Sequence, residues 1–193
     1  MRRLAAELGV DPMAIYYHLP GKGAVLSGLV QDVFSELRVP PAGGGAWQDR
    51  VRGWARAYRD LARAHPNLVL HLVSNAEAGA AAALEASESL YEALEASGLP
   101  PRTIVRAADL VVDYVNGFAL AEVSGPLGQP GDRRQLLARL EASPAEKFPA
   151  MLRVFGSLTE DETQADFEFG LDVLLAGLEA APGGAGEHAN ETR

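Results

Sequence analysis

The stretch MRRLAAELGVDPMAIYYHLPGK, residues 1–22, decides the fold of this 193-residue chain. Leu4, Ala5 and Leu8 lie at helical spacing, which predicts the apolar face of a short first helix. Gly9 follows directly, and helices commonly end in a left-handed residue, a conformation that glycine adopts without steric cost. The first half of the stretch therefore predicts a short helix that stops at a tight turn.

The second half of the stretch starts a new helix. The carboxylate of Asp11 can accept hydrogen bonds from the free N–H groups of a first turn, and Pro12 at that turn needs no hydrogen bond of its own. Ile15 and Leu19 repeat at helical spacing and are expected to face the apolar side of the first helix. Together the two helices predict a helix-turn-helix, whose recognition helix runs from Pro12 to His18.

Three consecutive ring-bearing residues, Tyr16, Tyr17 and His18, end the second helix. Consecutive positions on a helix cannot share one buried face, so at least one ring points outward. One tyrosine can pack inward with its hydroxyl at the rim, whereas an outward ring can contact phosphates or base edges. Lys22, which opens the next helix, is either an ordinary solvated lysine or a contact to a DNA phosphate.

The segment LAAELGVDPMAIYYHLPGKGAVL, residues 4–26, resembles the DNA-binding stretch of the tetracycline-repressor (TetR) family. The shared pattern is a helix that ends in Leu-Gly-Val, a short recognition helix that ends in an aromatic pair and histidine, and a lysine at the start of the next helix. The resemblance implies that this unit reads DNA. It assigns Arg2, Pro12, Met13, Ala14 and Tyr16 to base edges, and Arg3, Tyr17, His18 and Lys22 to phosphates.

The position of this unit at the start of the sequence leads to a further expectation. In the TetR-like fold another helix precedes the helix-turn-helix and packs across it. We therefore expect either that Met1 is an internal methionine taken as the start, or that the chain is a variant whose head lacks this helix. In both cases the head of the chain as given should be frayed and its affinity for DNA low.

The composition excludes several classes of protein. Cysteine is absent, so disulfides and thiolate metal sites are excluded, and the cytoplasm is the simplest location. Apolar runs are too short to span a membrane, and we find no signal-peptide pattern. The net charge is −9, but residues 1–38 carry four basic and four acidic residues, so the acidic excess lies in the rest of the chain. A neutral head on an acidic body suits a small DNA-reading module.

The spacing of apolar residues predicts an all-α fold. The TetR resemblance implies that this fold consists of a truncated helix-turn-helix head and a helical bundle for ligand binding and dimerisation. A break rich in proline and glycine at residues 39–46 separates the head, residues 1–38, from the body, residues 47–181. Residues 182–193 are small and polar, and we expect them to be disordered. After the recognition helix, helices are predicted at 22–38, 47–65, 67–75, 76–97, 102–124, 132–142, 144–158 and 159–181. The residues of the 47–65 helix that are spaced for burial are Val51, Trp54, Ala55, Tyr58, Leu61 and Ala62.

The body contains a set of candidate residues for a small-molecule cavity. If the TetR resemblance extends to the body, the cavity is lined by His71, Tyr91, Asp113, Asn116 and Phe118. A histidine within the apolar run LVLHLV can equally be a residue at the edge of a core. Asp113 and Asn116 can face either a pocket or a partner subunit.

The last helix predicts an interface between two copies of the chain. Besides its core stripe, it has a second face with small residues, which would let another helix approach closely. Together with part of the 102–124 helix, this face should form a two-fold, four-helix interface. The interface residues expected on the last helix are Gly170, Val173, Leu174 and Gly177.

The resemblance implies a ligand-responsive repressor that binds a palindromic DNA operator as a homodimer, without a membrane partner. The alternative is a dimeric small-molecule-binding protein that has lost DNA binding. Catalysis has little support, because the four histidines show no metal spacing and the sequence contains no Gly-x-Ser-x-Gly motif. We therefore expect no catalytic residues, no metal and no cofactor.

Overall fold

The computed structural model of the chain describes residues 1–19, 21–39, 45–67, 80–124, 132–144, 146–157 and 163–181. Within these residues it contains nine α-helices and no β-strand, which confirms the all-α fold expected from the sequence. In chain order the helices are α1 Arg2–Leu8, α2 Pro12–His18, α3 Lys22–Ser35, α4 Trp47–Ala64, α5 Ala80–Glu95, α6 Pro101–Ser124, α7 Asp132–Glu141, α8 Pro149–Phe155 and α9 Thr163–Glu179.

The helices divide between two compact units, Met1–Ala96 and Ser97–Arg193. The first unit contains α1 to α5 and the second contains α6 to α9. The break at residues 39–46, which the sequence suggests as the boundary between head and body, lies within the first unit. The division into a DNA-binding head and a ligand-binding body therefore remains a prediction.

The first two helices begin and end as their sequence predicts. Gly9 ends α1 in the left-handed conformation, with φ 66° and ψ 27°. The N–H of Met13 donates to the Asp11 side chain at 2.7 Å, and Pro12 is the first residue of α2. Gly21, with φ 101°, precedes α3 and again needs the freedom of glycine. Local capping thus fixes the limits of the recognition helix.

A small apolar core holds α1, α2 and α3 together. It consists of Ala5, Ile15 and Val25, with Met1 and Leu4 packed against them. The expectation that Leu8 and Leu19 complete this core is wrong, because they are 61% and 36% exposed. The reason is that the buried stripe lies at the start of the seven-residue α1, and Gly9 turns the chain immediately after Leu8.

The rest of the first unit is organised around α4. The six residues that its spacing predicts as core are all buried: Val51, Trp54, Ala55, Tyr58, Leu61 and Ala62. The indole N–H of Trp54 donates to the Ala86 carbonyl of α5 at 2.8 Å. Rings also connect α3 to α4, since the ring centroids of Phe34 and Tyr58 are 6.0 Å apart and those of Tyr58 and Trp54 are 5.1 Å apart.

The second unit is organised around α6 and α9. Tyr114 of α6 donates its hydroxyl to the Phe167 carbonyl of α9 at 2.9 Å, and the two rings stack with centroids 5.5 Å apart. Gly170 makes this approach possible, because a Cβ there would lie only 2.6 Å from Cζ of Tyr114. Arg133 of α7 forms an ion pair with Asp166 of α9. Tyr114 and Arg133 thus join their helices to the first half of α9.

The structure differs from the predicted helices in a few places. The helix expected at 144–158 is only Pro149–Phe155, since Pro149 occupies the first helical position, where its missing N–H costs nothing. Val105 and Val123 of α6 are exposed. Most of the predicted helix at 67–75, the first residues of the predicted helices at 76–97 and 159–181, the tail at 182–193 and His71 lie outside the described residues.

Candidate functional site

The recognition helix presents most of its surface to the outside. Of the nine residues expected to face DNA, Pro12 is half-buried and the other eight are exposed. Met13 is 72% exposed and Tyr17 is 86% exposed. Tyr16 is also exposed, so neither tyrosine packs into the core, and the inward alternative for one of the rings is wrong.

The direction of these side chains follows from one buried residue. Ile15 anchors α2 to the head core, and a helix turns about 100° per residue. Met13 and Tyr17, two residues before and after Ile15, therefore lie opposite the core. Ala14 and Tyr16 lie on the flanks. The centre of the outward face is thus formed by a thioether and a phenol.

The helices next to α2 contribute exposed cations, and α2 itself ends in a polar ring. Arg2, Arg3 and Lys22 are all exposed, and Lys22 is the first residue of α3. The ring of His18 meets the ring of Tyr17 edge-on, with centroids 5.1 Å apart. Asp11 is occupied by its capping bond to the Met13 N–H. Phenol, imidazole, guanidinium and ammonium groups can all donate hydrogen bonds to phosphate oxygens.

The helix α9 has an open apolar face. Val173 is 56% exposed, and a Cβ added at Gly177 would meet nothing within 4 Å. Phe169 belongs to the same face at 71% exposure. The sequence reasoning missed Phe169, although its helical spacing from Val173 is the signal that could have found it. An exposed phenylalanine beside small residues is a surface that another helix can cover.

The other residues predicted for the interface lie differently. Leu174 is half-buried within the chain. Gly170 packs against Tyr114 of the same chain, so its small size is already used there. Val173 and Gly177 therefore remain the open members of the predicted set, and the interface itself stays a prediction.

Four of the five residues predicted to line a ligand cavity lie in the described part of the chain, and three of them are on α6: Asp113, Asn116 and Phe118. Asp113 is exposed, whereas Phe118 packs against Phe167 with centroids 5.2 Å apart. Asn116 is half-buried on α6, and Tyr91 is half-buried on α5 in the first unit. The role of these residues in ligand binding stays a prediction.

Two classes of site can be assessed on the described residues alone. Among them, no group of three or more histidine, aspartate or glutamate side chains is placed to hold a metal ion. None of the helices in the described ranges is both long and apolar enough to cross a membrane.

Comparison with known proteins identifies the family. Residues 39–181 match the family model for the "Tetracyclin repressor-like, C-terminal domain". The chain belongs to the TetR family. Proteins of this family are non-enzymatic transcription factors. The expectation from the sequence that the chain is not an enzyme agrees with this.

Three relatives illustrate the similarity of this TetR-family chain to known regulators. The HTH-type transcriptional repressor DrrR1 of Streptomyces coeruleorubidus is 34% identical, over 93% of this chain and 69% of its own length. An HTH-type transcriptional regulator of Saccharopolyspora erythraea is 32% identical, over 95% of this chain and 77% of its own length. The crystal structure of the TetR-family protein ActR of Streptomyces coelicolor with actinorhodin has a TM-score of 0.76 at 28% identity, covering 92% of this chain and 85% of ActR.

Proposed function

We propose that this TetR-family protein is a ligand-responsive transcriptional repressor that binds a palindromic DNA operator as a homodimer. Each subunit places α2 in a major groove, and the two half-sites follow the two-fold symmetry of the dimer. A small molecule bound by the body lowers the affinity for the operator. The similarity to the repressor DrrR1 supports the assignment as a repressor.

The outward face of α2 is the observation that carries the proposal. Met13 and Tyr17 project opposite the buried Ile15, and the neighbouring helices α1 and α3 carry exposed cations. Met13 is 72% exposed, and in a major groove its side chain can contact a thymine methyl group. The cations Arg3 and Lys22 can hold phosphates and so set the register on the duplex.

The open apolar face of α9 supports the dimer. Phe169 and Val173 on α9 are exposed, and so is Leu110 on α6, the helix against which α9 packs. Both helices also have glycines with free space around them, at Gly117 and Gly177. Two such helices from each subunit form a four-helix interface with closed two-fold symmetry.

Regulation by a small molecule is supported by the similarity to ActR, whose structure contains actinorhodin. The operator needs both recognition helices at a fixed spacing, so a ligand that favours another arrangement of the heads reduces DNA affinity. The size of this effect equals the difference in ligand affinity between the two arrangements. The rings of Phe34 and Tyr58 provide a rigid contact through which α4 can displace α3.

An electrophoretic gel shift on DNA that flanks the protein's own gene tests the proposal. Lys22→Ala should weaken binding to every operator variant and lower the salt slope by about one phosphate contact. Met13→Ala should instead change which operator variant is preferred, because a base contact carries sequence information. Lys147→Ala, which removes the same charge from the second unit, is the matched control and should bind as the wild type does.

Two results would contradict the proposal. If Met13→Ala weakens binding to all operator variants equally, α2 does not read bases through this residue. If the wild-type chain retards no DNA even at low salt and high protein concentration, but binds a small molecule as a dimer, the protein is a binding protein without operator recognition.

A further inference from the structure

A cleft of about 350 Å³ lies in the first unit, between α3 and the end of α4. One wall is an apolar stripe of α3, formed by Leu26, Leu29, Val30 and Val33, and the other is the turn that follows α4, formed by Ala64, His65, Pro66 and Asn67. The volume is at the small end of the range for sites that bind small molecules. Leu29 is 54% exposed, so the apolar wall is open to a ligand.

The polar groups of the cleft lie on one wall only. The ring Nε2 of His65 is 3.2 Å from a carboxylate oxygen of Glu36, the residue that ends α3. A histidine whose Nε2–H donates to a carboxylate keeps Nδ1 as an acceptor in its neutral form. No residue in the described ranges bonds to Nδ1. Asn67 adds an exposed amide with donor and acceptor atoms.

We propose that this cleft is a second effector site, which takes a flat aromatic molecule with a single phenolic hydroxyl. The apolar wall of α3 covers the rings, the hydroxyl donates to Nδ1 of His65, and the amide of Asn67 donates to the oxygen of the same hydroxyl. A purely apolar molecule leaves both polar groups of the wall without a partner, and a carboxylate is repelled by Glu36.

The position of the cleft gives it a regulatory effect, which rests on the proposed function. Only three residues separate α3 from the recognition helix, and the hydrogen bond between Glu36 and His65 joins the residue that ends α3 to the residue that follows α4. A molecule in the cleft sets the angle between α3 and α4 and thereby the angle of α2. Binding in the cleft therefore weakens operator binding, and the operator weakens binding in the cleft by the same factor.

Equilibrium dialysis of the full chain with 2-naphthol tests the site directly, without DNA. The wild type should bind one molecule per chain and bind naphthalene about tenfold more weakly, because naphthalene lacks the hydrogen bonds. Leu29→Trp fills the cleft from its exposed side and should reduce 2-naphthol affinity by at least about tenfold. Leu84→Trp makes the same change at an exposed leucine of α5 and should leave the affinity unchanged.

The His65→Phe variant tests the polar wall separately. It keeps a ring of similar shape and removes Nδ1, so 2-naphthol should lose most of its advantage over naphthalene, while naphthalene should bind as it does to the wild type. If the variant instead binds 2-naphthol and naphthalene more weakly by the same factor, the substitution has only changed the shape of the cleft. That result would overturn the assignment of the ligand hydroxyl to Nδ1 of His65.

The other outcomes separate this site from the proposed function. Binding of 2-naphthol that Leu29→Trp does not affect, or no binding at all, overturns the site, whatever the gel shifts show. Saturable binding that Leu29→Trp abolishes supports the site even if no operator is found, in which case the proposed function fails alone. If operator binding exists, 2-naphthol should reduce it in the wild type and not in Leu29→Trp.

Discussion

Replacing Gly170 by alanine tests how α6 and α9 are joined. The new Cβ would lie 2.6 Å from Cζ and 2.8 Å from Cε2 of Tyr114, and closer still to its hydroxyl. Carbon atoms rest about 3.5–4.0 Å apart, so the tyrosine ring must withdraw by about 1 Å. The ring cannot move freely, since Phe167 and Phe118 pack against it with centroids at 5.5 and 5.9 Å.

The expected cost follows from three effects. Overpacking costs about 1–3 kcal/mol. The withdrawn hydroxyl also loses its hydrogen bond to the Phe167 carbonyl, a net loss of about 1 kcal/mol. Alanine instead of glycine in a helix interior stabilises by about 1 kcal/mol. Gly170→Ala should therefore lower the free energy of unfolding by about 1–3 kcal/mol, the sum of these effects.

Urea unfolding followed by circular dichroism measures this change, with two controls. Gly28→Ala, an exposed helical glycine of α3 with no atom near the new Cβ, should stabilise by up to about 1 kcal/mol. In a Tyr114→Ala background the ring is gone, so Gly170→Ala should become as favourable as Gly28→Ala. If Gly170→Ala stabilises the protein even with Tyr114 present, the close approach of the two helices is wrong. A cost that depends on protein concentration instead would place Gly170 in the dimer interface.

Three further substitutions test the cap, the first-unit core and the interface. Asp11→Ala removes the acceptor for the Met13 N–H and should speed amide exchange in α2 by the equivalent of about 1 kcal/mol. Asp11→Asn keeps an acceptor and should have a smaller effect, so equal exchange rates in the two variants would exclude a capping role for Asp11. Trp54→Phe removes the donor to the Ala86 carbonyl and should cost about 1–3 kcal/mol in urea unfolding; no cost would mean that this bond contributes nothing. Gly177→Leu should give monomers or insoluble protein in light scattering, and a soluble dimer would place the interface elsewhere.

The parts of the fold that depend on neighbouring residues could be predicted from the sequence. Gly9, Asp11 and Pro12 determine the turn and the start of α2 through local capping, so the limits of the recognition helix were correct. The six buried residues of α4 were also correct, because a long amphipathic helix has only one face to bury.

The parts that depend on distant residues could not be predicted in this way. Leu8 has the right spacing for the head core, but only the packing of three helices shows that the core ends before it. Gly170 must be small because Tyr114, on a different helix, packs directly against it. Helical spacing cannot show a contact between residues so far apart in the sequence, and it therefore assigned Gly170 to an interface. The outward face of α2 was expected from the aromatic residues, whereas the cleft beside His65 depends on how α3 meets the end of α4.

The row of rings from Phe34 to Trp54 gives the protein an intrinsic optical probe. Of its two tryptophans, Trp54 is 2% exposed and Trp47 is half-buried. Trp54 contacts Tyr58, which stacks on Phe34 of α3, so a displacement of α3 changes the surroundings of the indole. The emission of Trp54 should therefore follow the movement of the head in real time, and stopped-flow fluorescence can time that movement without attaching a dye.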